Sequence, residues 1–473
     1  MSLALLSLAL PLLGALLLIL LRPAAGRWVI LINIGSTLAA AGALHQVMES
    51  GTQWLELGGW QAPLAIRFQL SPLAALLMLF TAGVHLLVSL YAARCRHAIG
   101  SEDFWPLSCL LQSALAALWL SGDLFNLYVT LELLSLAAVA LVALAGPKAY
   151  RPALNYLLLS LAGSLAYLFG VALLYGRYGV LDIALLAELA EADATTRLAL
   201  LLMSLGLMLK AALWPLHLWL PPAHAGAPAA VSALLSALVV KGPLYILWVL
   251  WSRIAPVELE QSAGGIFAVA GVLALLSGGW SALRAPYLKT LVAYSTVAQL
   301  GYALLALGLL LRWQEPSLSA ALWLFVLAHG LAKVSMFLAA GELQHTLGSR
   351  RVTALRGASQ TMPLALFAFA VAGGSLIGLP PSGGFLAKWL LLQPLFAEPE
   401  HWPWAIGVLL GTLASAAYVF RVVTLGFDRA RQTRLDLKPD RVAQWLAMLP
   451  ALLVWGLALI SERLLLWIGG VSP

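Results

Sequence analysis

The sequence predicts an all-α polytopic membrane protein with about fourteen transmembrane helices, and three observations carry that prediction. Apolar residues fill 62% of the 473 positions and charged residues only 10%. A soluble domain carries roughly 25% charged residues, so this chain has too few to cover a water-facing surface. The apolar residues come in runs of about 20, the length that crosses the hydrocarbon core of a bilayer as an α-helix. The basic residues behind the net charge of +7 fall in short loops between those runs, and no basic stretch with interleaved aromatics points to nucleic acid.

In chain order the spans lie near 2–21, 28–48, 70–92, 104–120, 122–145, 152–175 and 198–219. Seven more follow near 228–252, 262–281, 286–311, 318–341, 361–392, 402–427 and 441–468. Met1 to Leu21 has no basic n-region and no small-residue cleavage site. It therefore reads as a retained first helix, not as a signal peptide. Spans 4 and 5 nearly fuse, and span 12 is long enough to be a broken helix.

Loops after odd-numbered spans hold Arg22, Arg27, Arg94, Arg96, Lys148, Arg151, Arg284, Lys289, Arg350, Arg351 and Arg356. The loop after span 13 adds Arg421, Arg429, Arg431, Arg434, Lys438 and Arg441, making seventeen. Loops after even-numbered spans hold five: Arg67, Arg177, Arg197, Arg253 and Arg312. This asymmetry predicts cytoplasmic odd loops, with both termini on the periplasmic side of a bacterial inner membrane.

Apart from Arg463 near the C-terminus, the remaining basic residues are Lys210, Lys241, Lys333 and Lys388. All four are lysines inside predicted spans. A cation at the bilayer centre costs at least ~2.5–3.5 kcal/mol. A buried lysine changes its charge with its surroundings, whereas arginine stays protonated. A lysine-only pattern therefore favours proton transfer over static pairing. The buried acid Glu132, in Leu127-Tyr-Val-Thr-Leu-Glu132, needs a cationic partner, and Lys210 is the first candidate. The competing reading is an ion pair that only fixes helix packing.

Pro215 follows Lys210, Gly242-Pro243 follows Lys241, and Gly378 to Gly384 precedes Lys388. Proline leaves a helix carbonyl free, and such a carbonyl is tolerated at membrane depth only against protein or water. Three of the four lysines are thus expected at helix breaks. His329 and Lys333 are four residues apart and share a helix face, with Ser335 nearby as a possible continuation. His217 and His224, near the end of span 7, are gate or exit candidates. Asp123, between spans 4 and 5, is either a helix cap or part of such a gate. His85 has no polar companion and reads as structural.

Cys95 and Cys109 belong to no metal-spaced cluster, and no histidines and acids lie at metal-ligand spacing. Neither a catalytic group, a cofactor nor a metal is expected. Leu220-Pro-Pro222 and Leu379-Pro-Pro381 stand five spans apart, each near a buried lysine, a pairing that points to two five-helix repeats. The expected division is 1–103 for spans 1–3, 104–252 and 253–427 for the repeats, and 428–473 for span 14.

The residues resemble those of the antiporter-like subunits of respiratory complex I, membrane-bound hydrogenases and Mrp-type sodium/proton antiporters. The resemblance covers nearly the whole chain. It rests on the glutamate-bearing span 5, the Lys210-Ala-Ala-Leu-Trp-Pro-Leu-His-Leu-Trp-Leu-Pro-Pro-Ala-His-Ala segment and Leu288-Lys-Thr-Leu-Val-Ala-Tyr-Ser295. Gln299-Leu-Gly-Tyr302 and Leu379-Pro-Pro-Ser-Gly-Gly-Phe-Leu-Ala-Lys388 complete it. It implies inverted repeats over helices 4–8 and 9–13, with breaks in 7 and 12. It also implies a Glu132–Lys210 pair, with charge passing through Lys241 to His329 and Lys333 and ending at Lys388. Within the family, Gly122-Asp-Leu-Phe-Asn-Leu-Tyr-Val129 is most similar to the Mrp antiporter D subunit.

The resulting expectation is a proton-translocating subunit of a hetero-oligomeric Mrp-type antiporter working with protons and Na+ or K+. The alternatives are a proton-pumping subunit of a complex I-like or hydrogenase redox assembly, or a proton-coupled inorganic-carbon uptake subunit. From other classes come a non-conducting scaffold and a self-sufficient single-chain carrier.

Overall fold

The computed structural model describes residues 1–20, 25–60, 65–428 and 437–469. Arg22, Arg429, Arg431 and Arg434 of the basic loops lie outside the described residues. The described chain is almost wholly helical, and eleven of its helices are long and apolar enough to cross a membrane. Numbered to match the predicted spans, these are α1 (Ser2–Leu20), α2 (Ala25–Ser50), α3 (Pro72–Arg94), α5 (Leu124–Ala143), α6 (Pro147–Tyr178) and α8 (Ala229–Ile254). The rest are α9 (Val257–Arg284), α10 (Leu288–Trp313), α11 (Pro316–Thr346), α13 (Trp402–Phe427) and α14 (Arg441–Ile468). The shorter α4 (Phe104–Leu120), the two-part α7 (Ala194–Lys210 and Leu220–Gly226) and the two-part α12 (Pro363–Ile377 and Gly383–Ala397) bring the spans to fourteen among the described residues.

Local chemistry sets the boundaries. The Ser71 hydroxyl accepts from the Ala74 amide and Pro72 opens α3. Pro147 opens α6, which ends on Gly179 at φ 73°. A side-chain acceptor before the first turn, proline in it and left-handed glycine after the last turn satisfy or remove the unpaired terminal groups of a helix. Spans 4 and 5 do not fuse. Ser121 to Asp123 separate them, and the Asp123 carboxylate accepts from the Asn126 amide as the cap of α5.

The two predicted breaks are present. α7 consists of Ala194–Lys210 and Leu220–Gly226, and α12 of Pro363–Ile377 and Gly383–Ala397. Span 8 differs from its expectation: Gly242-Pro243 does not break it. Pro243 has no amide to give the Val239 carbonyl, and α8 absorbs the loss by widening to a π-turn over Leu235–Val239. Of the basic residues assigned to loops, two are drawn into the helix packing. Lys289 is buried in the first turn of α10, and Arg421 sits inside α13, donating to the carbonyls of Leu283 and Ala285. A hairpin of β1 (Gln53–Leu57) and β2 (Ile66–Leu70), paired from Gln53↔Leu70 to Leu57↔Ile66, joins α2 to α3. A short helix, Ile183–Leu189, follows α6. Neither is legible in the sequence.

α8 and α11 are buried along their whole membrane length and α10 nearly so, while α1, α2, α6, α13 and α14 are peripheral. The peripheral α6 crosses α7 without intervening side chains. A Cβ on Gly206 would collide with the Gly163 carbonyl, and one on Gly163 would lie 2.8 Å from the Gly206 carbonyl. That close approach brings the serines of α6 within reach of the last residue of the first α7 segment, Lys210.

Candidate functional site

Lys210 ends its helix segment, so its side chain leaves the α7 break toward α5 and α6. Its ammonium donates to Glu132 Oε1 at 2.9 Å, Ser135 Oγ at 2.8 Å and Ser160 Oγ at 3.1 Å. Ser164 Oγ also donates to Glu132 Oε1. The predicted Glu132–Lys210 pair is therefore present, with three serines around it that sequence reading did not single out. The ammonium has an acceptor for each of its three protons. At the break, the Trp219 indole donates to the Leu209 carbonyl at 2.8 Å, so that carbonyl is met by protein.

Lys241 is buried in the middle of α8. It donates to the Ser236 carbonyl, within the π-turn, and meets His329 Nδ1 of α11 at 2.8 Å. One turn along α11, Lys333 donates to the Val292 carbonyl at 3.0 Å and to Ser295 Oγ. Side-chain and backbone bonds join the two sites. Ser236 Oγ and Thr296 Oγ1 are 2.9 Å apart, and Thr296 donates to the same Val292 carbonyl that Lys333 uses. Ser335, expected to extend the row, turns away to the Ala368 carbonyl.

Lys388 lies on the second α12 segment and reaches back across the break. It donates to the end carbonyls of the first segment, Leu376 at 2.9 Å and Ile377 at 3.0 Å, and to Tyr302 Oη and Thr412 Oγ1, each at 3.2 Å. The negative end of a helix dipole suits a cation. The break is made by Gly378, whose φ of 91° lies in the region that L side chains rarely adopt. Gln299 shares the Leu376 carbonyl with Lys388 and donates to Ser415 and Tyr418, linking α10, α12 and α13.

The gate candidates are placed less uniformly. His217 lies in the α7 break with its Nδ1 unpartnered, and His224 is fully buried, both ring nitrogens unpartnered, stacked on Phe337 at 4.6 Å. Asp123 serves as a helix cap and is not brought to the row. His85 bonds within its own helix, its Nδ1 2.9 Å from the Thr81 carbonyl. Lys289, missed because it stands next to a basic loop, bonds the Ala227 carbonyl between α7 and α8.

Buried lysines with carboxylate, hydroxyl, imidazole and carbonyl partners thus stand on α7, α8, α11 and α12, with partners supplied by α5 and α10. The family model for the NADH:quinone oxidoreductase/Mrp antiporter transmembrane region matches residues 121–414. The chain belongs to that family. The N subunit of the NADH-quinone oxidoreductase of Desulforudis audaxviator is 36% identical over 396 residues, covering 81% of this chain and 77% of that protein. The D subunit of the Na(+)/H(+) antiporter of Bacillus subtilis is 30% identical over 429 residues, covering 88% and 85%. A chain of the membrane-bound sulfane sulfur reductase, an archaeal respiratory complex, superposes with a TM-score of 0.89 at 27% identity, covering 99% of this chain and 97% of that one. The likeness to the antiporter's D subunit read from Gly122–Val129 is therefore real but shared, and identity to this oxidoreductase N subunit is higher. Family membership makes the chain a multi-pass membrane protein of a kind that works beside other membrane subunits.

Proposed function

We propose that the chain is the proton-translocating membrane subunit of a multi-subunit Mrp-type monovalent cation/proton antiporter. Protons move along Glu132, Lys210, Lys241, His329, Lys333 and Lys388, exchanging with partners that carry Na+ or K+. The observation that carries this reading is the Lys241–His329–Lys333 group with its continuation to Lys388. Among the described residues, no ammonium along that stretch is paired with a carboxylate. Fixed structural pairing predicts paired charges there, whereas proton transfer needs cations that can release their proton. Glu132 supports the assembly reading. Its side chain is 23% exposed on a helix face that also exposes Phe125, Leu133 and Leu136. A carboxylate on an outward apolar surface needs protein against it.

In the same reading, residues 104–252 and 253–427 are the two repeats, with 1–103 and 428–473 flanking them. The basic odd loops face the cytoplasm of a bacterial inner membrane and both termini face the periplasm. A second reading, a proton-pumping subunit of a complex I-like assembly, is favoured by the 36% identity to the oxidoreductase N subunit.

The test uses inside-out vesicles carrying the intact complex under an imposed pH gradient. The antiporter reading expects added Na+ or K+ to dissipate the gradient, and an assembled Lys388→Ala complex to lose the response. No response to either cation, with proton movement only when an electron donor is supplied, moves the chain to the second reading. Neither response sinks both.

A further inference from the structure

Among the described residues the buried acids outside the row are Asp182, which meets Arg67, Glu260, which meets Gln314, and Glu342. Glu342, near the C-terminal end of α11, is 2% exposed, yet its partners carry no permanent charge. Tyr91 Oη of α3 donates to its Oε1 at 2.6 Å, and His97 Nε2, from the loop after α3, lies 3.4 Å from the same oxygen. His97 is stacked on His345, with ring centroids 3.5 Å apart and planes 7° from parallel. Cys95 adjoins both Glu342 and Tyr91, and burial with the nearby carboxylate pushes its thiol up, so it stays protonated. The neighbouring arginines are engaged elsewhere: Arg94 with Asp440 at 2.7 Å and Arg96 with Glu102.

A buried carboxylate without a fixed cation is ionised only while something beside it is positive. Here the groups beside it are the imidazoles of His97 and His345, whose ring nitrogens can carry or release a proton. Two faces stacked at 3.5 Å disfavour a charge on both rings at once. The geometry also runs from outside to inside: His345 and His97 reach solvent, while Glu342 and Tyr91 do not. Glu342 follows Lys333 by nine residues on the same helix, roughly 14 Å along its axis. Between them Phe337 stacks on His224, whose ring nitrogens are both unpartnered.

We propose that Glu342, held by Tyr91 and fed by the stacked His97–His345 pair, is a proton-loading site linking the odd-loop face to the buried lysine row. In the loading step the His97 Nε2–H bond breaks and a Glu342 O–H bond forms. This leaves neutral imidazole, which takes its next proton from water at the exposed face. The proposal rests on the proton-translocation reading.

Proton flux is measured from pH 6 to 9 in vesicles of the intact complex with the odd-loop face in the varied medium. The variants are Glu342→Gln, Glu342→Asp and the double variant His97→Gln/His345→Gln, with Lys210→Ala as reference and assembly checked for each. Glu342→Gln is expected to lower flux at pH 8 at least about tenfold and Glu342→Asp to restore most of it. The double variant is expected to move the flux–pH profile about one unit or more toward acid, because the carboxylate must then be protonated without the imidazoles. An assembled Glu342→Gln complex with wild-type flux overturns the loading site. So does a double variant whose profile is unchanged or lowered equally at every pH. Should Glu342→Gln fail to assemble, Glu342→Asp with the double variant decides by the same profile. Lys210→Ala separates the levels: if it too conducts normally, the proton-translocation reading fails, and if it alone is inactive, only the loading site does.

Discussion

Lysine and arginine divide this protein between them. The lysines of the row end among hydroxyls, carbonyls, an imidazole and, at Lys210, the Glu132 carboxylate, whereas Arg421, an arginine within a membrane helix, caps the carbonyls of Leu283 and Ala285. A guanidinium holds its proton under all conditions a protein meets, so arginine suits anchoring and lysine suits exchange. It follows that Lys241→Arg keeps the charge and loses the function. Flux through the assembled complex is expected to fall roughly a hundredfold, the low end of what a positioned acid–base group contributes. Wild-type flux in Lys241→Arg would reduce Lys241 to a fixed charge beside His329.

The breaks and crossings of the helices aim those side chains. The α6–α7 crossing is the most demanding, since Gly163 and Gly206 each leave no room for a Cβ on the other. Gly206→Val forces the helices apart at the serines that hold Lys210. It should destabilise the protein by about 1–3 kcal/mol, the usual cost of overpacking. The check is a lower melting temperature in detergent, against Leu205→Val on the exposed face of the same helix as the control. Equal melting temperatures would contradict the account of this crossing.

At this scale the sequence is readable where chemistry is local. Proline pairs beside lysines mark the α7 and α12 breaks, and the Glu132–Lys210 pair follows from a buried acid in need of a cation. It is not readable where the answer depends on what packs alongside. Gly242-Pro243 has the look of a third break, but a π-turn absorbs the missing amide within a helix buried on every side. Lys289 counts as a loop residue because it stands at a helix start, and only the fold shows it reaching Ala227. Ser160, Ser164 and Thr412 carry no signal of their own, and Glu342, His97 and His345 come from segments that only the tertiary structure joins. The β-hairpin escapes notice because its strands of five residues alternate weakly in burial.

Across the whole molecule, the ionisable groups of the site stand on α5, α7, α8, α11 and α12, with the partly exposed Glu132 on α5 and Lys388 beyond the α12 break. On the proposed function such a set serves a subunit that passes charge to neighbours, in keeping with relatives that are subunits of larger complexes. The most direct test of the row as a proton path is flux through the intact complex with Lys210→Ala and, separately, Lys388→Ala, with assembly verified in each. The account predicts that both variants assemble and both lose proton flux. Two assembled variants that conduct like the wild type would contradict it, leaving the lysines as packing elements and the chain as a scaffold for transport elsewhere.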